Sequence, residues 1–110
     1  MFLKKLLFIW CVVFSLSVQG NQLTDETTIK FLESWTTTSG DLYVKTNESS
    51  VANPASCSNS SVYVLPKNAP EITQSMLLAS IHANSTLKLT IYGGGCYYNR
   101  PQIVAVKIIN

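Results

Sequence analysis

Cys57 and Cys96 are the two cysteines left once the amino-terminal segment, which holds Cys11, is set aside, and a small chain with one such pair folds around it. Residues 1–20 read as a signal peptide. Lys4 and Lys5 supply a positive start, Leu6 to Val13 an apolar run, and Ser15 to Gly20 a small polar stretch suited to cleavage. The apolar run is too short to span a membrane comfortably. The expected mature chain, 21–110, is therefore a single domain without a membrane span, exported to an oxidising place and closed by a Cys57–Cys96 disulfide. In a bacterium that place is the periplasm or the medium. A domain of about 90 residues buries a modest core, and closing a loop of about 40 residues stabilises it by roughly 4 kcal/mol.

The formal charge of +2 falls to near zero when Lys4 and Lys5 leave. Lys30, Lys45, Lys67, Lys88, Arg100 and Lys107 are scattered singly, so the basic stripe that nucleic acid requires is missing. The triplets beginning at Asn47, Asn59 and Asn84 match the glycosylation acceptor pattern, which chance readily produces in a chain rich in Asn, Ser and Thr.

From Thr28 onward Ile29, Phe31, Glu33 and Trp35 alternate with Thr28, Lys30, Leu32 and Ser34, a half-buried strand that could extend through Thr38. Ser39-Gly40-Asp41 signals a turn, and Leu42 to Lys45 returns with Leu42 and Val44 on one face. Thr46 to Ser61, dominated by Asn, Ser, Ala and Pro, reads as a surface loop that leads into a short strand, Val62 to Leu65. Asn68-Ala69-Pro70-Glu71 opens a helix running to Asn84, with Asn68 as cap and Ile72, Met76 and Ala79, beside Leu78, as the apolar side. Leu87, Leu89 and Ile91 alternate cleanly in a fourth strand, Gly93-Gly94-Gly95 breaks it, and Ile103 to Ile108 forms the last.

The order β-β-β-α-β-β makes the chain mainly β with one helix. It matches a small OB-fold-like five-stranded barrel, whose helix lies between the third and fourth strands. An open α+β sheet is the alternative. A ferredoxin-like fold would need a helix after the first strand, and Ser34 to Asp41 has neither the period nor the length for one.

Catalysis needs convergent titratable groups, and His82, the only histidine, sits alone inside the predicted helix. One histidine and two distant cysteines do not make a metal site, and no helix follows Gly93 to Gly95 to hold a phosphate, so neither metal nor cofactor is expected. The chain reads as a non-enzyme. Tyr97-Tyr98-Asn99-Arg100, next to Cys96 in the last connection, pairs ring faces with an amide and a guanidinium. These four are the expected ligand contacts; the alternative is that Tyr97 and Tyr98 cover an end of the barrel. Trp35 and Tyr43 are read as a packing pair across the first hairpin.

Cys57-Ser58-Asn59-Ser60-Ser61-Val62-Tyr63, the helix, Leu87 to Tyr92, and Pro101-Gln102-Ile103-Val104 follow one another in an order that resembles the OB-fold B subunits of bacterial AB5 toxins, most closely the subtilase cytotoxin and typhoid or pertussis-like group. The resemblance runs from Cys57 to Ile108. It implies a secreted or periplasmic lectin-like subunit for cell-surface glycans, a homopentamer with its helices around a central pore, and a toxin A subunit as partner. It also implies that Asp25 matches an acidic position near the glycan site. The contrasting expectation is a small monomeric periplasmic protein that binds a protein partner or supports an envelope assembly. An exposed apolar helix face favours assembly, and a buried one favours the monomer.

Overall fold

A computed structural model of the protein describes residues 20–36 and 40–109; the expected signal peptide with Cys11, and the continuation of the first strand beyond Thr36, lie outside them. Six described strands and one helix follow in the order β1 (Gln22–Leu23), β2 (Ile29–Ser34), β3 (Leu42–Thr46), β4 (Tyr63–Leu65), α1 (Glu71–Ala83), β5 (Thr86–Ile91) and β6 (Ile103–Ile109). The chain is mainly β with one helix. Its strands form two three-stranded antiparallel sheets, β1-β5-β6 and β2-β3-β4, so the expected closed five-stranded barrel is corrected to two sheets packed on one core.

The two seams explain why the ladder does not close. Between β1 and β2 the chain leaves β5: Thr24 N–H donates to Leu89 O, Thr24 Oγ1 accepts Leu89 N–H, and Thr27 exchanges both backbone bonds with Leu87. Asp25 and Glu26 lie exposed between these anchors, and the strand resumes only at Ile29, now paired with β3. At the other seam β4 meets β6 through a single parallel bridge, Val64 to Gln102. Pro101 O accepts Val64 N–H at 3.0 Å, and Pro101 has no N–H with which to extend the parallel ladder toward the residues before Val64.

Inner-face alternation is clearest in β5, where Leu87, Leu89 and Ile91 are fully buried. They pack with Ile29, Val44, Tyr63, Leu65, Leu77 and Ile103, and each large apolar side chain in such a core contributes about 1.5–3 kcal/mol. In β2 the alternation is broken by a bulge between Ile29 and Phe31. One extra residue turns the rest of the strand over. Ile29 is buried and Leu32 half-buried, while Phe31, Glu33 and Trp35 are exposed.

The helix differs from expectation at its start and on its buried side. Pro70, not Asn68, is the N-cap, and no side chain caps the first turn. Glu71 opens the helix, where its charge suits the dipole. Asn84 closes it in the left-handed conformation at φ 51°, which Asn tolerates. The buried side carries Leu77 and Ser80, whose hydroxyl donates to Met76 O at 2.7 Å. Ile72 and Leu78 are 68% and 57% exposed, and Met76 is half-buried. The helix rests on β2 and β6, and that contact selects the Leu77 side from two apolar arcs.

Candidate functional site

Tyr97 to Arg100 form a tight turn. Tyr97 and Arg100 exchange both backbone hydrogen bonds, at 2.9 and 3.0 Å, while Tyr98 and Asn99 sit at φ 46° and 66°. Two consecutive positive φ values mark a turn of the type I′ kind, which Asn accepts and Tyr rarely does. Three ties hold it in place. The Cys57–Cys96 disulfide, with Cα atoms 5.7 Å apart, joins it to the long loop. Asn59 N–H donates to Asn99 O at 2.9 Å. The Tyr97 hydroxyl donates at 3.1 Å to Oδ1 of Asp41, a buried carboxylate that also accepts Lys67 N–H at 2.9 Å. Partial burial and this carboxylate raise the Tyr97 hydroxyl above its usual pKa.

The four expected contact residues therefore part company. Tyr97 turns inward to Asp41 and meets the Tyr98 ring edge-on at 4.8 Å. Tyr98, 71% exposed, and Asn99 stand at the tip of the turn. Arg100 points back over the Tyr43 ring, its guanidinium carbon 5.1 Å from the centroid. There it lines an open pocket of about 330 Å³ with Glu33, Trp35, Tyr43, Ser61 and Val62. Asp25 does not line this pocket; it lies exposed in the β1–β2 connection.

Each wall of the pocket has a local cause. The β2 bulge puts Glu33 and Trp35 outside, and β2–β3 register sets Glu33 directly opposite Tyr43. Trp35 Nε1–H donates to Glu33 Oε1 at 2.8 Å, fixing the ring beside the carboxylate with 54% of its surface open. Lys45 Nζ donates to Ser61 O at 3.0 Å, and Asn59 Oδ1 accepts the Ser61 hydroxyl at 2.8 Å. Arg100 Nε is buried without a hydrogen-bond partner, and Nη1 reaches only Tyr98 O at 3.5 Å. Glu33, Trp35, Tyr43, Ser61 and Val62 were not among the expected contacts, Trp35 and Tyr43 having been read as a packing pair. Sequence alternation places Glu33 and Trp35 on the same side as Ile29, and only the bulge set by β2–β3 pairing turns them outward.

A second polar cluster lies away from this pocket. Tyr63 OH donates to Glu48 Oε1 at 2.6 Å and accepts Ala52 N–H at 2.9 Å. Burial, with Glu48 beside it, pushes the Tyr63 hydroxyl well above its ordinary value. Burial alone would raise Glu48, but hydrogen bonding, the Tyr63 hydroxyl at 2.6 Å included, outweighs it and holds the carboxyl below the usual range. Among the described residues no group of three His, Cys, Asp or Glu could hold a metal ion, and no helix is long and apolar enough to cross a membrane. His82 is exposed near the end of α1. Comparison with known protein families, curated proteins and solved structures finds no match to this chain.

Proposed function

We propose that this chain is an exported, non-enzymatic binding module, directed at glycans, whose ligand site is the pocket of Trp35, Tyr43 and Arg100. The observation that carries the reading is the joining, in one open pocket, of an exposed indole, a fixed carboxylate and a guanidinium that no carboxylate pairs. Sugars dock an apolar ring face on an aromatic ring and satisfy hydroxyls with such groups.

The strand path supports the same reading. The isolated bridges Thr27 to Leu87 and Val64 to Gln102 join the edges of the two sheets, a path that an OB-like reading can share. In that fold oligosaccharides bind where the second and third strands meet the first and last connections. Here Trp35 begins the connection after β2, Tyr43 lies on β3, and Arg100 ends the connection before β6. The near-neutral mature charge favours sugar over nucleic acid. The disulfide suits an oxidising compartment, in keeping with secretion or the periplasm.

Exposed Ile72 and Leu78 favour a protein neighbour over an isolated monomer, either copies of this chain in a toxin-type ring or a separate subunit. A ring would multiply shallow sites into useful avidity. A glycan array probed with wild-type protein and Trp35→Ala tests the reading. Saturable binding to a defined glycan, lost in the variant while its thermal transition is kept, supports it; equal signals from the two proteins would sink it.

A further inference from the structure

We infer that the Trp35–Tyr43–Arg100 pocket takes a small zwitterion, an ammonium joined by a short linker to an oxyanion, as a free headgroup or as a decoration on a larger ligand. The inference rests on the reading that this pocket is the ligand site. Its starting point is an unused attraction. Glu33 and Arg100 carry opposite charges and line one pocket of about 330 Å³, yet no ion pair joins them. Each is held by an aromatic ring instead, Glu33 by the Trp35 indole N–H at 2.8 Å and Arg100 by the Tyr43 face at 5.1 Å. The pocket therefore carries a negative and a positive group that form no ion pair with each other.

Charge bookkeeping then selects the ligand. A simple anion would satisfy Arg100, with the Lys45 ammonium nearby at Ser61 O, but leave Glu33 unanswered, and a simple cation would satisfy Glu33 but sit in the field of Arg100. A neutral sugar would leave both ends without a counter-charge. A zwitterion answers both. Its ammonium fits beside Glu33 and the Trp35 ring, since a ring face and a carboxylate are the surroundings that attract ammonium groups, quaternary ones above all, while Arg100 occupies the Tyr43 face. Its oxyanion fits the outer end of the Arg100 guanidinium, whose Nη1 makes only a 3.5 Å contact, while the buried Nε stays without a partner. Ser61 lines the same space.

Calorimetric titration of the whole protein with four probes tests this: phosphocholine, glycine betaine, choline and inorganic phosphate. A zwitterion should bind at least about tenfold more tightly than choline or phosphate alone. Phosphocholine ahead of glycine betaine identifies the oxyanion as phosphate, and the reverse order as carboxylate. Arg100→Gln should reduce the best zwitterion to the level of choline, whereas Arg100→Lys keeps part of the gain; Trp35→Ala should weaken choline and zwitterion alike. Thermal transitions of the variants control for folding. Vesicles of phosphatidylcholine, compared with soluble phosphocholine, separate a lipid source from a free or glycan-borne one. Choline or phosphate binding as tightly as the zwitterions, or no binding by any probe, overturns the inference. If the zwitterions fail while an array glycan still binds in a Trp35-dependent way, the inference alone falls; if both fail, the pocket reading falls with it.

Discussion

Tyr63 joins three parts of the chain through one hydroxyl, which donates to Glu48, accepts from Ala52 N–H, and stands on a ring that is 2% exposed in the core. Removing that oxygen leaves a buried N–H and a carboxylate oxygen unpaired. Tyr63→Phe should therefore lose about 2 kcal/mol in denaturant unfolding, against a nearly neutral change for exposed Tyr98→Phe. The same pair predicts a pH dependence. Glu48 has a lowered pKa when folded, so its contribution is complete above its ordinary value of 4.5 and fades as pH falls through the lower folded value. Tyr63 is shifted the other way, so its contribution is complete below its ordinary value of 10.0 and is lost at more alkaline pH. Unfolding midpoints across the acid limb check the first sign: the wild type should lose more stability below 4.5 than Tyr63→Phe, which has a weaker hold on Glu48. Asp41 has a similar role beside the site. Asp41→Ala should lose about 2–3 kcal/mol, because Lys67 N–H and the Tyr97 hydroxyl lose a charged acceptor.

At the scale of elements, α1 separates a packing surface from an open one. Leu77→Ala should lose about 2–4 kcal/mol in chemical denaturation, and Leu78→Ser should stay within about 0.5 kcal/mol if no second chain covers that face. Local pattern made much of the fold legible. The Leu87-Leu89-Ile91 alternation, the left-handed Gly40 at φ 78°, the helix end at Asn84 and the Cys57–Cys96 pairing all follow from residues and their near neighbours. The rest depended on distant partners. Which arc of α1 is buried could not be read while Ile72, Leu77 and Leu78 all looked apolar, because β2 and β6 decide it. The β2 bulge is set by the pairing of Ile29 with Thr46 and Phe31 with Lys45, and without it Glu33 and Trp35 have no assigned side. The Tyr97 to Arg100 turn was legible as a site element for its ring and guanidinium chemistry. Its division into inward Tyr97, outward Tyr98 and pocket-lining Arg100 follows from Asp41 and two positive φ values that composition does not reveal.

For the whole molecule, one disulfide fastens the long loop to the turn that carries Arg100, across 39 residues of sequence. Cys57→Ser/Cys96→Ser should lower unfolding stability by roughly 4 kcal/mol on the chain-entropy account, measured against the oxidised wild type. Assembly belongs to this scale too. If exposed Ile72 and Leu78 meet other copies in a ring, sedimentation gives five-copy particles that Ile72→Glu disperses; a wild-type monomer at every concentration removes the avidity argument and leaves the pocket untouched. The central claim is that ligand enters between Trp35, Tyr43 and Arg100. Amide and indole chemical shifts, followed while the protein is titrated with the glycan that binds best on an array, address it most directly. The account predicts saturable shifts at the Trp35 indole N–H and at the amides of Tyr43, Ser61, Val62 and Arg100, with α1 unmoved. Saturable shifts confined to α1 or to the surroundings of Glu48, or no saturable shift with any glycan, would contradict it.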